Sequence, residues 1–144
     1  MKVLLDTSIL VAAIIEAHPA HSLALPWLQR AKEKAYTGLI AAHSLAELYA
    51  ILTTLPVQPR IPPDLALQLI QQNILDVLEV VSISGKDYIS LIEHLSSRGI
   101  IGSATYDALI LHSASNANVD QVVTLNERDF QRVYPSLANK IISP

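Results

Sequence analysis

The chain has 144 residues, of which 51% are hydrophobic and 16% charged, and this matches one domain with a well-filled core. It contains no cysteine, which excludes a disulfide scaffold, thiolate zinc sites and thiol nucleophiles and fits a reducing cytoplasm. The formal net charge of −3 argues against a protein that holds nucleic acid mainly by neutralising phosphates, although a nuclease can carry its positive charge as bound metal ions.

The N-terminal region does not read as a targeting segment. Asp6 interrupts the apolar stretch that follows Met1 and Lys2, so a signal peptide is not expected. Apolar residues never run together for the roughly 18 positions that a membrane span needs. We therefore expect a soluble protein with no membrane partner.

Short apolar runs of strand type alternate with longer stretches of helical period, which predicts an α/β domain with a parallel sheet. In chain order, strands are predicted at residues 3–5, 36–40, 78–83 and 121–125, with a short fifth at 140–142. Helices are predicted between them at residues 8–16, 19–34, 42–55, 63–77, 86–97 and 106–117. We expect residues 1–144 to form one domain, because no stretch reads as a linker.

Four acidic residues share one kind of position in this arrangement. Asp6 ends the first strand, and Glu47 lies early in the helix after the second strand. Asp107 begins a helix, and Asp129 follows the fourth strand. Ligands of open α/β folds bind outside the carboxyl ends of the strands, where loops and helix N-termini converge. We therefore expect the four carboxylates to meet at one edge of the sheet.

Helix capping is the alternative explanation for each acid taken alone, because acids at helix N-termini accept hydrogen bonds from free N–H groups and suit the helix dipole. All four fit it: two lie at the start of a helix, Asp6 and Asp107, and two complete a possible capping box, Ser44-x-x-Glu47 and Asn126-x-x-Asp129. The fourfold recurrence of the same placement favours a shared site.

Converging carboxylates raise each other's pKa and destabilise the fold, and a divalent cation relieves that conflict. Magnesium and manganese prefer oxygen ligands, whereas the absence of cysteine and of a helical histidine pair disfavours zinc. Such an ion activates water and stabilises charge on a phosphate, so the pattern predicts phosphodiester hydrolysis. We expect Asp6→Ala and Asp107→Ala to abolish cleavage and to leave the fold intact or more stable without metal.

Four segments that carry these acids resemble the PIN-domain nucleases in order and spacing. They are Leu5-Asp6-Thr7-Ser8-Ile9-Leu10, Ser44-Leu45-Ala46-Glu47-Leu48, Tyr106-Asp107-Ala108-Leu109-Ile110 and Thr124-Leu125-Asn126-Glu127-Arg128-Asp129-Phe130. Within that family, the chain is most similar to the VapC-like toxin ribonucleases of bacterial and archaeal type II toxin–antitoxin pairs. The resemblance implies a three-layer α/β/α fold with about seven helices around the parallel sheet.

The resemblance also implies roles and partners. Asp6, Glu47 and Asp107 would bind Mg²⁺ or Mn²⁺. Thr7 or Ser8 would supply a hydroxyl beside the metal. Single-stranded or loop RNA would be the substrate of a metal-dependent endoribonuclease, and the protein would form a homodimer that a small antitoxin blocks.

The fourth acid of the site has two possible positions. Members of the family place it either where this chain has Asn126 or three residues later, at Asp129. We expect Asp129 to be the carboxylate and Asn126 to orient water or another ligand, while a site built mainly on three acids is the alternative.

Three other functions compete with this hypothesis. A structure-specific DNA nuclease would keep the metal site, but a chain of this length lacks room for DNA-clamping insertions. A phospho-receiver would carry adjacent acids after the first strand, whereas Asp6 is followed by Thr7 and Ser8. A catalytically weak or inactive PIN scaffold that binds RNA or a protein partner would usually lack one of the three firmest acids, and none is missing.

Several other residues are expected to be structural or solvated. Isolated basic side chains are usually solvated. We therefore do not expect three of them to belong to the site: Arg98, Arg128 and Lys140. The histidines form no ligand pattern: His18, His21, His43, His94 and His112. One apolar group is interpreted as core or as an antitoxin groove: Trp27, Leu28, Leu48, Ile51 and Leu52.

Overall fold

The computed structural model describes residues 1–144 and alternates strands with helices. The strands are β1 (Lys2–Leu5), β2 (Thr37–Ala41), β3 (Glu79–Val81), β4 (Gln121–Val123) and β5 (Ile141–Ile142). The helices are α1 (Thr7–Ile14), α2 (His21–Lys32), α3 (Ala42–Thr54), α4 (Pro63–Ile70), α5 (Gly85–Ser97), α6 (Ala104–Asn116) and α7 (Glu127–Val133). A π-helical turn, Gln71–Leu75, continues α4, and a 3₁₀ segment, Pro135–Lys140, precedes β5. None of the helices combines the length and apolar character that a bilayer crossing requires.

All five strands are parallel, in the order β3-β2-β1-β4-β5. The chain therefore builds the sheet outwards from β1 in two directions, with β2 on one side and β4 on the other. The gap between the carboxyl ends of β1 and β4 is a topological switch point, which is where open α/β sheets bind their ligands. The predicted five-strand parallel sheet is confirmed.

Side chains alternate across β1 and divide the core into two layers. Val3 and Leu5 pack in a cluster with residues of α1 to α4, whereas Leu4 packs in a second cluster with residues of α6 and α7. α5 is held against α6 by a third, smaller cluster that includes Leu91 and Leu109. Helices thus cover both faces of the sheet, and the predicted three-layer α/β/α architecture is confirmed.

The apolar group on α2 and α3 belongs to the core. Leu28, Leu48 and Leu52 are buried, and the partly buried Trp27 and Ile51 pack against the same cluster. The sequence left two interpretations of this group open, core or antitoxin groove. For the three leucines the first is correct, because they belong to the core.

Some predicted boundaries are wrong by one or two residues, and the helix predicted at 63–77 is α4, which ends at Ile70, followed by the π-helical turn to Leu75. β3 is shorter than predicted at both ends, because it is an edge strand paired only with β2. β4 ends at Val123, two residues before its predicted end, and Thr124 then directs its hydroxyl to Asp6 at the end of β1. α6 begins at Ala104, two residues before its predicted start. α7 corresponds to none of the six helices predicted from periodicity, and it brings the number of α-helices to the seven that the family resemblance implies.

A capping box fixes the start of α5. Ser84 Oγ accepts from the Asp87 N–H (3.2 Å), and Asp87 Oδ2 accepts from the Ser84 N–H (2.8 Å). The backbone N–H of Ser84 holds the pKa of Asp87 well below its usual range, and hydrogen bonds from His112, the Ser84 hydroxyl and Asn116 act in the same direction. His112 Nε2 lies 3.2 Å from Asp87 Oδ1 and ties α5 to α6.

We expect Asp87→Asn to lower Tm by a few degrees at pH 7. A carboxyl with a depressed pKa in the folded state contributes stability above its unfolded pKa, and this contribution is lost as the pH falls through the folded pKa. The difference in Tm from the wild type should therefore narrow below about pH 4. Thermal unfolding followed by circular dichroism from pH 2 to 7 measures it, and a constant difference would contradict this explanation.

Candidate active site

The carboxyl ends of β1 and β4 bring two polar residues together. Leu5 pairs with Val123 in the parallel ladder, so the residues that follow them, Asp6 and Thr124, are neighbours. The Asp6 N–H donates to the Val123 carbonyl (3.0 Å) and extends the ladder by one residue. Asp6 thus lies at the switch point, at the end of the central strand.

Asp6 is a buried carboxylate held by hydroxyl groups. Its Oδ2 accepts from Ser8 Oγ (2.7 Å), Thr124 Oγ1 (2.9 Å) and the Ser8 N–H (3.4 Å), and it is the N-cap residue of α1. Only 3% of Asp6 is exposed. Burial raises its pKa, and these hydrogen bonds oppose the rise by stabilising the ionised form. Capping and membership of the site are therefore compatible for this residue.

Glu47 reaches the same edge from α3. This helix begins at Ala42, directly after β2, so Glu47 lies in its second turn. Thr7 Oγ1 donates to Glu47 Oε1 (3.1 Å) and lies 2.9 Å from Ser44 Oγ. Because Thr7 follows Asp6 directly, its hydroxyl links the end of β1 to the α3 carboxylate.

Neither predicted capping box is present. Ala41 is the N-cap residue of α3, so Ser44 lies inside the helix, fully buried, and makes no capping hydrogen bond. Asn126 is the N-cap residue of α7, but its side chain makes no capping hydrogen bond either. Capping therefore does not explain Glu47 or Asp129.

Asp107 is the fourth residue of α6, which contacts α3. Burial is the main cause of a rise in its pKa to about 6. The negative charges of Asp6, Glu47 and Asp129 add to that rise, and Arg132 opposes it. The four predicted acids therefore share one electrostatic environment, in which each disfavours the ionisation of Asp107.

Asp129 is the most open of the four acids. Its side chain is 63% exposed and lies 3.7 Å from Arg132 Nη2, in a pair too exposed to contribute much stability. Asn126 is also exposed, and it is its backbone N–H that contacts the cluster, donating to Thr124 Oγ1 (3.0 Å). Asp129 thus contributes charge to the site, while the Asn126 side chain stands outside the hydrogen-bond network.

Two buried hydroxyl residues belong to the cluster although the sequence analysis did not predict them as site residues. Thr124 is fully buried and donates to Asp6, and Ser44 is fully buried beside Thr7. The signal for Thr124 is a polar residue directly after a buried strand, in the same position relative to β4 that Asp6 occupies relative to β1. Ser44 carries no comparable signal, because its motif fits a capping box equally well.

One histidine lies beside a predicted site acid, whereas the other histidines and Lys140 have partners elsewhere. His43 Nε2 lies 3.6 Å from Glu47 Oε1. The other four histidines make contacts within their own surroundings. Lys140 Nζ donates to the Val119 carbonyl (2.9 Å), which gives this lysine a structural partner.

The donor set suits a hard divalent cation. The cluster offers carboxylate and hydroxyl oxygens, and the mutual repulsion around Asp107 is of the kind that a cation relieves. No group of three or more histidine, aspartate and glutamate side chains is arranged to hold an ion directly. Mg²⁺ usually keeps several water ligands and binds through one or two carboxylates, so the residues present fit such an ion.

Comparison with known proteins identifies the family. The PIN domain family model matches residues 3–135. Ribonuclease VapC40 of Mycobacterium tuberculosis is 33% identical over 114 residues, which cover 78% of each chain. Ribonuclease VapC27 of the same organism is 32% identical over 110 residues, which cover 76% of this chain and 74% of VapC27.

A solved structure agrees with these relatives. VapBC2 from Rickettsia felis, bound to a DNA fragment from their promoter, includes a chain that superposes with a TM-score of 0.67 at 25% identity. The match covers 100% of this chain and 98% of that one. Because the family model covers most of the sequence and the fold agrees, the chain belongs to the PIN domain family, as its four acidic segments predicted.

Proposed function

We propose that the protein is a divalent-metal-dependent endoribonuclease that hydrolyses RNA phosphodiester bonds, and that it is the toxin of a toxin–antitoxin pair. The observation that carries the proposal is the cluster of oxygen groups at the switch point between β1 and β4, where hydroxyl groups hold Asp6 and Thr7 links it to Glu47. The pKa of Asp107, raised by burial and by three neighbouring carboxylates, supports it. Two relatives with at least 32% identity are named ribonucleases, which supports RNA as the substrate.

Asp6, Glu47 and Asp107 would hold Mg²⁺ or Mn²⁺, and Asp129 would complete the site. The exposed Asp129 side chain can move towards a bound ion without breaking a buried contact, because Arg132 is its only ion-pair partner. Asn126 is the alternative fourth ligand. These assignments follow the chemistry of the donor set, in which every group is an oxygen that a hard cation accepts.

A bound divalent ion supplies an activated water and stabilises the negative charge that develops on a phosphodiester during hydrolysis. The protein's own groups prepare the site for that chemistry. The Ser8 and Thr124 hydroxyls both donate hydrogen bonds to the Asp6 carboxylate, which stabilises its ionised form and opposes the rise in pKa that burial causes. Thr7 fixes one oxygen of Glu47 and leaves the other free to bind.

The partners are proposed from the same family relationship. An antitoxin protein would cover the site, and the toxin would form a homodimer. Exposed apolar side chains support protein partners, because α5 presents Tyr88, Ile89 and Ile92 at its surface, each at least 43% exposed.

We also propose that residues 1–144 form one domain and that the protein acts in the cytoplasm, which the absence of cysteine supports. Light scattering of the purified chain measures the oligomeric state.

Cleavage of a pool of structured RNAs tests the activity. We expect the purified chain to cut RNA with Mg²⁺ or Mn²⁺ and to lose all cleavage in EDTA, because the carboxylates alone provide no activated water. A matched DNA pool should stay intact at the same metal concentration. If DNA is cut as well as RNA, the substrate is not RNA alone and the structure-specific DNA nuclease becomes the better hypothesis. If the folded chain cuts nothing with either metal, an inactive scaffold that binds RNA or a protein becomes the better hypothesis.

A further inference from the structure

Two aromatic rings stack at the rim of the carboxylate cluster. His43, in the first turn of α3, and Tyr106, in the first turn of α6, have ring centroids 5.1 Å apart and planes inclined by 6°. Tyr106 is nevertheless 50% exposed. Because the imidazole lies against one face of the phenol ring, the opposite face is the one that a further flat group would use.

The pair lies directly beside the proposed catalytic acids. His43 Nε2 is 3.6 Å from Glu47 Oε1, and Tyr106 immediately precedes Asp107 in α6. The two helices that carry the rings therefore also carry two of the four carboxylates. A flat group resting on Tyr106 would be next to any phosphate that reaches these acids.

We propose that the exposed face of Tyr106, supported from behind by His43, is a stacking platform for one nucleobase of a single-stranded RNA substrate. The proposal rests on the ribonuclease function proposed above. Unpaired bases stack on aromatic side chains, and such stacking tolerates any sequence because every base has a π-face. The platform would position the strand over the acids and would not select the base.

The stack with His43 prepares Tyr106 for this role. A ring that is already held between two helices loses little conformational freedom when a base binds, so the contact contributes more to affinity. His43 acts through Tyr106 and is a positioning residue. A carboxylate site loaded with a divalent cation favours RNA over an apolar protein segment as occupant, because the cation attracts the phosphate next to the stacked base.

Binding measurements test the platform independently of cleavage. In the Asp107→Asn background with Mg²⁺, the Kd of a fluorescein-labelled single-stranded RNA is measured for Tyr106→Leu, Tyr106→Phe and Tyr49→Leu. Tyr49 is the matched control, since it is 43% exposed and lies two residues, or about 200° of helix, beyond Glu47. We expect Tyr106→Leu to raise Kd by about 5–100-fold, and the other two changes to stay within about twofold.

An abasic scan separates stacking from a structural effect. Removing one base at a time from the RNA should weaken binding to the Tyr106-containing chain at one position, and Tyr106→Leu should lose that sensitivity. An unchanged Kd for Tyr106→Leu, or equal sensitivity in both chains, would overturn the platform. If the wild-type chain cleaves RNA while these results are negative, the platform alone fails; if it cleaves no RNA, the proposed function fails.

Discussion

Asp107→Asn lowers RNA cleavage by at least about 10²–10³-fold and makes the metal-free protein more stable at neutral pH; this is the result we expect from the carboxylate cluster. Cleavage falls because a proposed metal ligand is lost. Stability rises because the ionised Asp107 is unfavourable beside three other carboxylates, as the rise in its pKa to about 6 indicates.

The pH dependence of this gain follows from the sign of the pKa change. A carboxyl with a raised folded-state pKa has its full stabilising contribution below the unfolded pKa, near 3.8, and loses it as the pH rises through about 6. Asp107→Asn should therefore match the wild type near pH 4 and be more stable at pH 7.5. With allowance for solvent screening, the gain is about 1–2 kcal/mol.

Chemical unfolding in EDTA at both pH values measures this difference. Addition of Mg²⁺ should then raise the stability of the wild type more than that of Asp107→Asn, because the variant keeps the other three acids but has lost one proposed ligand, and binding to the folded state alone stabilises it. Retained cleavage in the variant, or a loss of stability at pH 7.5, would remove Asp107 from the proposed site.

Asp6→Ala should also abolish cleavage, but with the opposite effect on stability. The structure revises the expectation that this change leaves the fold intact, because Asp6 accepts hydrogen bonds from Ser8 and Thr124 inside the protein. Alanine leaves these hydroxyls without their acceptor and removes the N-cap of α1. We expect a loss of about 2–3 kcal/mol in the free energy of unfolding, measured by urea denaturation.

Asp6→Asn is the matched control for this prediction. The amide oxygen can still accept hydrogen bonds from Ser8 and Thr124, and a neutral side chain suits a site whose burial raises the pKa of Asp6. This variant should lose cleavage and keep a stability close to the wild type. If Asp6→Asn cleaves RNA normally, Asp6 serves the fold alone.

Local sequence patterns predicted the strands, most of the helices and the fold class well. The strands read as apolar β-rich runs, and each acid was recognised by its place relative to a strand or helix end. Asp6 was expected at the carboxyl edge of the sheet, and the sheet order, which the sequence did not predict, places it at the switch point there. Periodicity and strand ends are properties of a few consecutive residues, so a single sequence contains them.

Contacts between distant segments were not predictable in the same way. Thr7 and Ser44 are 37 residues apart and Thr124 and Asp6 are 118 apart, so no local pattern links them. Ser44 fitted a capping box because the motif is local, but α3 begins at Ala42, directly after β2, and carries Ser44 past the cap. The stack of His43 on Tyr106 is equally invisible until α3 and α6 are brought together.

The ladder between β1 and β4 has a consequence for the order of events during translation. β1 and three of the four acids precede residue 108, but β4, which lies beside β1 and carries Thr124 to Asp6, begins only at Gln121. A nascent chain therefore cannot complete the surroundings of Asp6 until residues 121–124 have left the ribosome, more than 100 residues after β1. Fragments released before that point lack one neighbour of the central strand and the Thr124 hydroxyl that donates to Asp6.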